Sequence, residues 1–452
     1  MPDAAGFTMV DEPNVRPPAY SDDALANAFS DRHDGDLLYV PTWASWLRWD
    51  GCRWRRDETL AVFDKARLIC REVANVALDA EKNGDAISRA LAGAPTIAAV
   101  ERLARSDRRH ARSSDQFDTD PWALNTPGGV IDLRTGSVRA HRKDDLVTKV
   151  TGVAPGGECP RWRSFLDEIT QGDVELIAYF HRFIGYTLTG IIREHAFAFL
   201  HGPGGNGKSV LLNTIVAMLG DYAATATSDV FTATRTEQHL THVAHLRGAR
   251  MVTVAETEEG KPWAESRIKS LTGGDRITAR VMRGDPFEFG PAFKLWIAGN
   301  HRPILHNPDA AMRRRLNLVP LTFVPSEPDV HLPDALHREL PGILAWAIKG
   351  CLAWQRDGLN PPAVVREATD EYFAEQDAVA LWVAERCERK STASMPSRTG
   401  KNGRPSGGRK PGRKSGSAPR WRSISPREKP IMAGSFPAFA CFRQRPEHGD
   451  VS

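Results

Sequence analysis

Cysteine is scarce in this chain: six thiols in 452 residues, at Cys52, Cys70, Cys159, Cys351, Cys387 and Cys441. No two stand in a CxxC or other zinc spacing, which argues against a structural zinc. A chain this long also needs no disulfide framework to hold a core. Long apolar runs are missing as well. Nothing approaches the ~18 consecutive apolar residues of a membrane span. The opening Met1 to Asp23 is acidic and proline-bearing, without the basic-then-apolar pattern of an export signal. A cytoplasmic protein without membrane contact is expected.

Positive charge is scarce where a nucleic-acid-binding body would carry it. The formal net charge is +4, but residues from Arg389 onward hold 15 Lys and Arg against 3 Asp and Glu. The preceding residues hold 45 against 53. The body is mildly acidic, so any contact with nucleic acid there has to be local.

What is present has a clear order. Residues 1–35 read as a polar leader, expected to be disordered. In "WLRWDGCRWRRD", Trp46, Trp49 and Trp54 surround Asp50-Gly51, a hairpin turn pair. Residues 58–108 have helix-like spacing at Ala61, Ala66, Ile69 and Val73, and "NTPGGVIDLRTGSVRAH" returns to strands and turns at Gly128-Gly129 and Thr135-Gly136. A mixed α/β domain is expected over 36–155. A helical segment over 156–194 follows, with Trp162, Phe165, Leu166 and Ile169 on one face, then Leu176, Ile177, Phe180 and Ile184 after a cap at Asp173. Strand-like runs at "HAFAFL", "RMVTVA", "FKLWIAG" and "LNLVPL" predict a parallel-sheet α/β core over 195–325. Residues 326–389 read as helical, with Leu340, Leu344, Ala347, Ile348 and Leu352 on one face. Residues 390–452 form a basic Arg/Gly/Pro/Ser-rich tail, expected to be disordered.

The chemistry sits at the strand ends. "HGPGGNGKS" follows a buried strand and matches GxxxxGK[ST] in full. Gly202, Pro203, Gly204, Gly205, Asn206, Gly207, Lys208, Ser209 and Val210 are the expected nucleotide contacts. The backbone N–H groups wrap the phosphates, Lys208 reaches the outer ones, and the Ser209 hydroxyl ligates Mg²⁺. Glu256 ends the next long apolar run and is the expected carboxylate for metal and water, with Glu258 close behind and Glu259 more simply a solvated loop residue. Asn300 ends another strand, where a polar side chain can touch the outer phosphate or the attacking water; a plain turn asparagine is the alternative. Arg313, Arg314 and Arg315 precede "LNLVPL", either as a solvated turn or as a source of charge for a transferring phosphoryl group. His239, His242 and His245 stand at three-residue steps, but no cysteine or HExxH partner supports a metal site. Asp34 and Asp36 look like a polymerase carboxylate pair, yet too little chain precedes them for a priming domain.

The order of phosphate loop, "VAETEEG", "IKSLTGGDRITARVMRGDPFEF", "FKLWIAGNHRP" and "RRRLNLVPL" resembles superfamily 3 helicases. It looks most like the ATPase half of phage and plasmid primase–helicases, which are related to the poxvirus primase–helicase. Upstream, "LNTPGGVIDLRTG" and "FHRFIGYTLTG" resemble the domain that precedes that helicase, so the likeness covers roughly residues 37–388.

The resemblance implies a P-loop, AAA+-like core that hydrolyses ATP with Mg²⁺ between the subunits of a homo-hexameric ring. Such a ring travels on single-stranded or forked DNA, usually 3′→5′. By position, Glu256 and Asn300 take the acidic-strand and sensor roles. The family's paired arginines fall on Arg314 and Arg315, with Arg313 where an aromatic is usual. A channel hairpin implied around the Arg283 turn would bring Arg276, Arg280 and Arg283, with Lys269 nearby, to the DNA backbone.

Two departures follow. No fused priming domain is expected, so a separate primase or origin-binding protein is a possible partner. Past "EYFAEQDAVALWVAERC" the family continues into a winged-helix-like module, and here the tail stands instead. A reading-frame change near residue 390 is the expected origin, and shifting the gene by one base should reveal an apolar-periodic continuation. Two other functions stay open: a phosphate-loop ATPase that remodels DNA–protein complexes without unwinding, and an inactive prophage remnant that only binds nucleotide.

Overall fold

Five short apolar strands dominate the computed structural model, which describes residues 16–231, 243–255, 262–280, 286–305 and 308–376. Everything before them builds two small antiparallel sheets and six helices. The calls at Glu256, Glu258, Glu259, Arg283, His239, His242 and the tail from 390 lie outside the described residues.

The first element among the described residues is α1 (Asp22–His33), within the 1–35 stretch where a polar leader was expected. Ser21 accepts a hydrogen bond from the Ala24 N–H, Asp22 and Asp23 occupy the first turn, and Arg32 and His33 close the last, all in the sense the helix dipole favours. Leu25, Ala26 and Phe29 are buried against Trp46, Ile69 and Val100. Three apolar side chains on one face are enough once a neighbouring surface receives them.

Strands β1 (Leu37–Val40), β2 (Ser45–Trp49) and β3 (Trp54–Arg56) form an antiparallel meander. The expected Asp50-Gly51 turn joins β2 to β3, with Asp50 Oδ1 accepting from the Cys52 and Arg53 N–H groups. Helices α2 (Ala61–Ala80), α3 (Gly84–Leu91) and α4 (Ala94–Ala104) follow. A second meander, β4 (Ala123–Thr126), β5 (Gly129–Asp132) and β6 (Ser137–Arg139), turns at Gly128-Gly129 and Thr135-Gly136, as read from the sequence. A Cβ on Gly129 would stand 2.6 Å from the Arg139 carbonyl oxygen.

Helices α5 (Pro160–Thr170) and α6 (Val174–Thr187) bury the faces their spacing marks, and Asp173 caps α6 through the Glu175 and Leu176 N–H groups. Helix α6 crosses the long helix Leu340–Asp357 where Gly185 meets Gly350-Cys351. A Cβ on Gly185 would lie 2.1 Å from the Cys351 nitrogen, so the crossing needs glycine.

The central sheet comprises β7 (Phe197–His201), β8 (Ala223–Ala226), β9 (Met251–Ala255), β12 (Lys294–Gly299) and β13 (Leu316–Pro320). Its order is β13-β7-β12-β9-β8, with every neighbouring pair parallel. Between β9 and β12 the chain forms a helix, Glu265–Gly273, and an antiparallel hairpin, β10 (Ile277–Arg280) with β11 (Pro286–Phe289).

Side chains alternate across the sheet, as period-two geometry requires. Ala198, Leu200, Trp296, Ala298 and Val319 face α5, α6 and α7 (Lys208–Leu219). Phe197, Phe199, Leu295, Ile297 and Leu318 face the connections after β8, β9 and β12. The β7–α7–β8 crossover therefore covers one face and the later crossovers cover the other. That arrangement opens a crevice at the carboxyl ends of the central strands, the usual place for a ligand in a parallel sheet.

Candidate phosphate-binding site

At that crevice β7 runs into the glycine loop, and Lys208 starts α7. Gly202 passes so close to the segment after β13 that a Cβ would sit 1.9 Å from the Leu321 carbonyl oxygen. Gly207, at φ +85°, touches α5, where a Cβ would meet Ile169 Cγ2 at 2.8 Å. The Asn206 amide is a strut: its Nδ2 donates to the Leu321 carbonyl, and its Oδ1 accepts from Lys208.

The Lys208 side chain is nearly buried. Its Nζ donates to Gly202 O at 2.8 Å, Pro203 O at 2.9 Å and Asn206 Oδ1 at 2.8 Å. Burial pulls its pKa below the ordinary lysine value. Burial first, then the neighbouring Arg302 and Lys208 cations, lowers His201 on the strand behind. No side chain caps α7 at Gly207, so the first-turn N–H groups keep their donors for a ligand.

These groups line a cavity of about 450 Å³, within the ~300–1,000 Å³ of small-molecule sites. Ser209 is exposed on its wall, Val210 lies beside it, and Asn300, one residue past β12, lines the same cavity. Ala255, which precedes Glu256, pairs in register with Ala298 on that wall. A nucleoside triphosphate fits the donor set: one lysine, one hydroxyl, unsatisfied backbone N–H groups and a single polar strand end.

Sequence reasoning missed the far wall. Phe165, Glu168 and Ile169 come from α5, and Phe323, Asp329 and Leu332 from the stretch after β13. Arg161 ties the two sources together, donating to Glu168 Oε1 at 2.8 Å and Asp329 Oδ2 at 3.4 Å. No local pattern in the sequence could announce this pairing, which depends on how α5 lies across the loop.

The three arginines stand elsewhere. The Phe197 N–H donates to the Arg315 carbonyl at 2.8 Å, so Arg313 to Arg315 lie at the amino edge of the sheet, opposite the loop. Arg313 pairs with Asp370 at 2.8 Å. Arg315 donates from Nη1 to Ala311 O at 2.8 Å, and its Nε is buried without a partner among the described residues. Arg314 is exposed and makes no ion pair among the described residues.

Of the expected DNA contacts, Arg276 and Arg280 lie exposed on or beside β10, and Arg276 Nε reaches Glu288 Oε2 of β11 at 3.2 Å. Lys269 belongs to the preceding helix and pairs with Asp309, which also caps the helix Ala310–Arg313. His245 is exposed, and Asp36 pairs with Lys143 at 2.6 Å. Among the described residues no cluster of His, Cys, Asp and Glu could hold a metal ion, and no helix is long and apolar enough to cross a membrane.

Comparison with known proteins places these features. Residues 26–171 match the family described as D5 N terminal like, and residues 200–315 match a family of unknown function, DUF5906. A protein of Acanthamoeba polyphaga mimivirus is 26% identical over 283 residues, which is 57% of this chain and 29% of that protein. One from Invertebrate iridescent virus 6 is 27% identical over 321 residues, 61% of this chain and 33% of its own length. Both carry the description "Putative helicase". The chain thus spans about a third of the curated relatives it matches. The apo structure of the NrS-1 C terminal region aligns at a TM-score of 0.47 with 11% identity, covering 77% of this chain and 74% of that one. The matched families and the viral relatives agree with the ordered motifs, and they make this chain similar to the phage and viral superfamily 3 primase–helicases.

Proposed function

We propose that this chain is an ATP-dependent DNA helicase that works 3′→5′ as a hexameric ring, with each ATP site shared between two subunits. One observation carries the shared site. The loop lies at the carboxyl end of β7, whereas Arg314 lies at the amino end of β13, its parallel neighbour. Five residues of strand separate them, roughly 17 Å at ~3.3 Å per residue. Arg314 cannot reach its own loop, so it serves the loop of a neighbouring copy.

In this reading Lys208 gives up its three acceptors for phosphate oxygens, and the first-turn N–H groups of α7 take the rest of the charge. The Ser209 hydroxyl and Glu256 would hold Mg²⁺, and Asn300 would position water at the strand end. Bound ATP with Mg²⁺ supplies the phosphoanhydride whose hydrolysis powers movement. Arg276, Arg280 and Arg283 of the hairpin, with Lys269 behind them, meet the DNA backbone. Displacement of a 3′-tailed strand is the test. It should require ATP and vanish in Lys208→Ala; unwinding that survives this substitution overturns the mechanism.

A further inference from the structure

A ladder of rings and guanidiniums joins the N-terminal region to the β10–β11 hairpin. Trp43, in the turn between β1 and β2, packs 5.3 Å from Phe117, centroid to centroid. Two arginines lie over its ring: Arg56 with Cζ at 5.2 Å and Arg247 with Cζ at 6.0 Å. Arg247 also lies 5.5 Å from the ring of Phe287 on β11.

Neither guanidinium of this ladder closes an ion pair among the described residues. Arg56 is exposed and makes no ion pair among the described residues. Arg247 makes one long hydrogen bond, from Nη2 to Ser114 O at 3.4 Å; Asp115 and Asp118 attract it without closing an ion pair. Stacking engages the face of a guanidinium and leaves its N–H edge free, and that edge is what binds a phosphate. The rings also hold each cation in place, so little side-chain freedom is lost when an anion arrives. Trp43 and Phe287 are half-buried, so part of each side chain stays accessible. Bases of any identity stack on such surface.

We propose that Trp43, Arg56, Arg247 and Phe287 form a binding surface for single-stranded DNA that continues the strand path of the hairpin onto the N-terminal region. The proposal rests on the reading of the hairpin as DNA-facing. In a chain whose body is acidic, it places unpaired positive charge where a strand leaving the hairpin would next arrive.

The test is fluorescence anisotropy of a labelled oligo-dT with the full chain, without nucleotide, across a salt series. Arg56→Gln and Arg247→Gln should each weaken binding about tenfold and lower the salt slope by about 0.7, the share of one single-strand phosphate contact. Trp43→Ala should weaken binding about fivefold or more and leave the slope unchanged, because a ring carries no charge. Arg56 is exposed, so Arg56→Gln should keep the thermal midpoint of the parent and carries the test if Arg247→Gln folds poorly. Parent-like affinity and slope in both Arg56→Gln and Trp43→Ala would reduce the ladder to a brace and overturn the proposal. A parent chain that fails to bind oligo-dT overturns the helicase reading beneath it as well. Unchanged binding in Arg276→Gln beside weakened ladder variants would overturn the continuous path from the hairpin that the proposal requires.

Discussion

At the carboxyl edge of the central sheet Lys208 is 7% exposed, and at the amino edge Lys294 is 1% exposed. Both ammonium groups donate to main-chain carbonyls, and burial lowers both pKa values. Their surroundings differ in kind. Lys208 is held by three acceptors within its own loop, beside open space and an uncapped helix start. Lys294 donates to the carbonyl and hydroxyl of Thr189 and lies 4.5 Å from the Tyr186 ring. Its neighbour Arg250 donates to Leu188 O and Ala123 O and lies 4.6 Å from the Tyr222 ring. Apart from Tyr222, those partners belong to the segments that precede the sheet, so the two cations fasten that region in place. A buried cation marks a ligand site only where its partners can be exchanged.

The largest effects should fall on turnover. Lys208→Ala should cut ATP hydrolysis at least ~100-fold, with a modest loss of thermal midpoint because the buried Gly202 carbonyl and Asn206 Oδ1 lose their donor. Arg314→Ala should cost about a thousandfold or more while leaving nucleotide affinity close to the parent's, as expected of an arginine acting on a neighbour's phosphate. Mixing the two dead proteins separates a shared site from a private one. A ring containing both has some interfaces with an intact Lys208 facing an intact Arg314, so phosphate release should return to a measurable fraction of parental activity. No recovery, with mixed rings present by native mass spectrometry, would remove the shared site.

At the amino edge the expected loss is in stability. Lys294→Met keeps the volume of the side chain but leaves the Thr189 carbonyl buried without its donor, a cost of about 1–3 kcal/mol that the removed desolvation of the ammonium offsets in part. Urea unfolding should show that loss, and ATP turnover per folded molecule should stay within about twofold. A hundredfold fall in turnover at unchanged stability would reverse the assignment of the two edges.

The contrast between the edges also explains what the sequence reading could and could not see. Strands β7, β9, β12 and β13 announce themselves as apolar runs, and the loop, Asn300 and the arginines follow because each is adjacent in sequence to such a run. Strand β8 is Ala-Ala-Thr-Ala and carries no comparable signal; it becomes a strand because β9 offers an edge to pair with. Helix α1 was hidden by its polar composition, although Ser21 and the acids after it are a legible start. The far wall of the cavity and the Arg250–Lys294 fastening were both invisible. Each joins residues 40 or more positions apart through a parallel sheet whose strand order no local pattern encodes.

The smallest expected effect concerns pH. Burial, with Arg250 adding like charge, holds the Lys294 pKa well below 10.5 in the folded chain, whereas the unfolded chain keeps the ordinary value. Between those two values the unfolded state binds more protons than the folded one. Stability therefore rises with pH across that window and gains nothing further above ~10.5, with a slope of at most about 1.4 kcal/mol per pH unit. Below the folded pKa the lysine is charged in both states and the full desolvation cost stands. Urea midpoints measured at rising alkaline pH should climb in the parent chain, on top of whatever other groups contribute. Lys294→Met has no ammonium to titrate, so the difference between the two chains should widen with pH. A difference that stays flat would mean that Lys294 keeps its proton throughout, with the Thr189 oxygens and the Tyr186 ring stabilising the charge as well as water does.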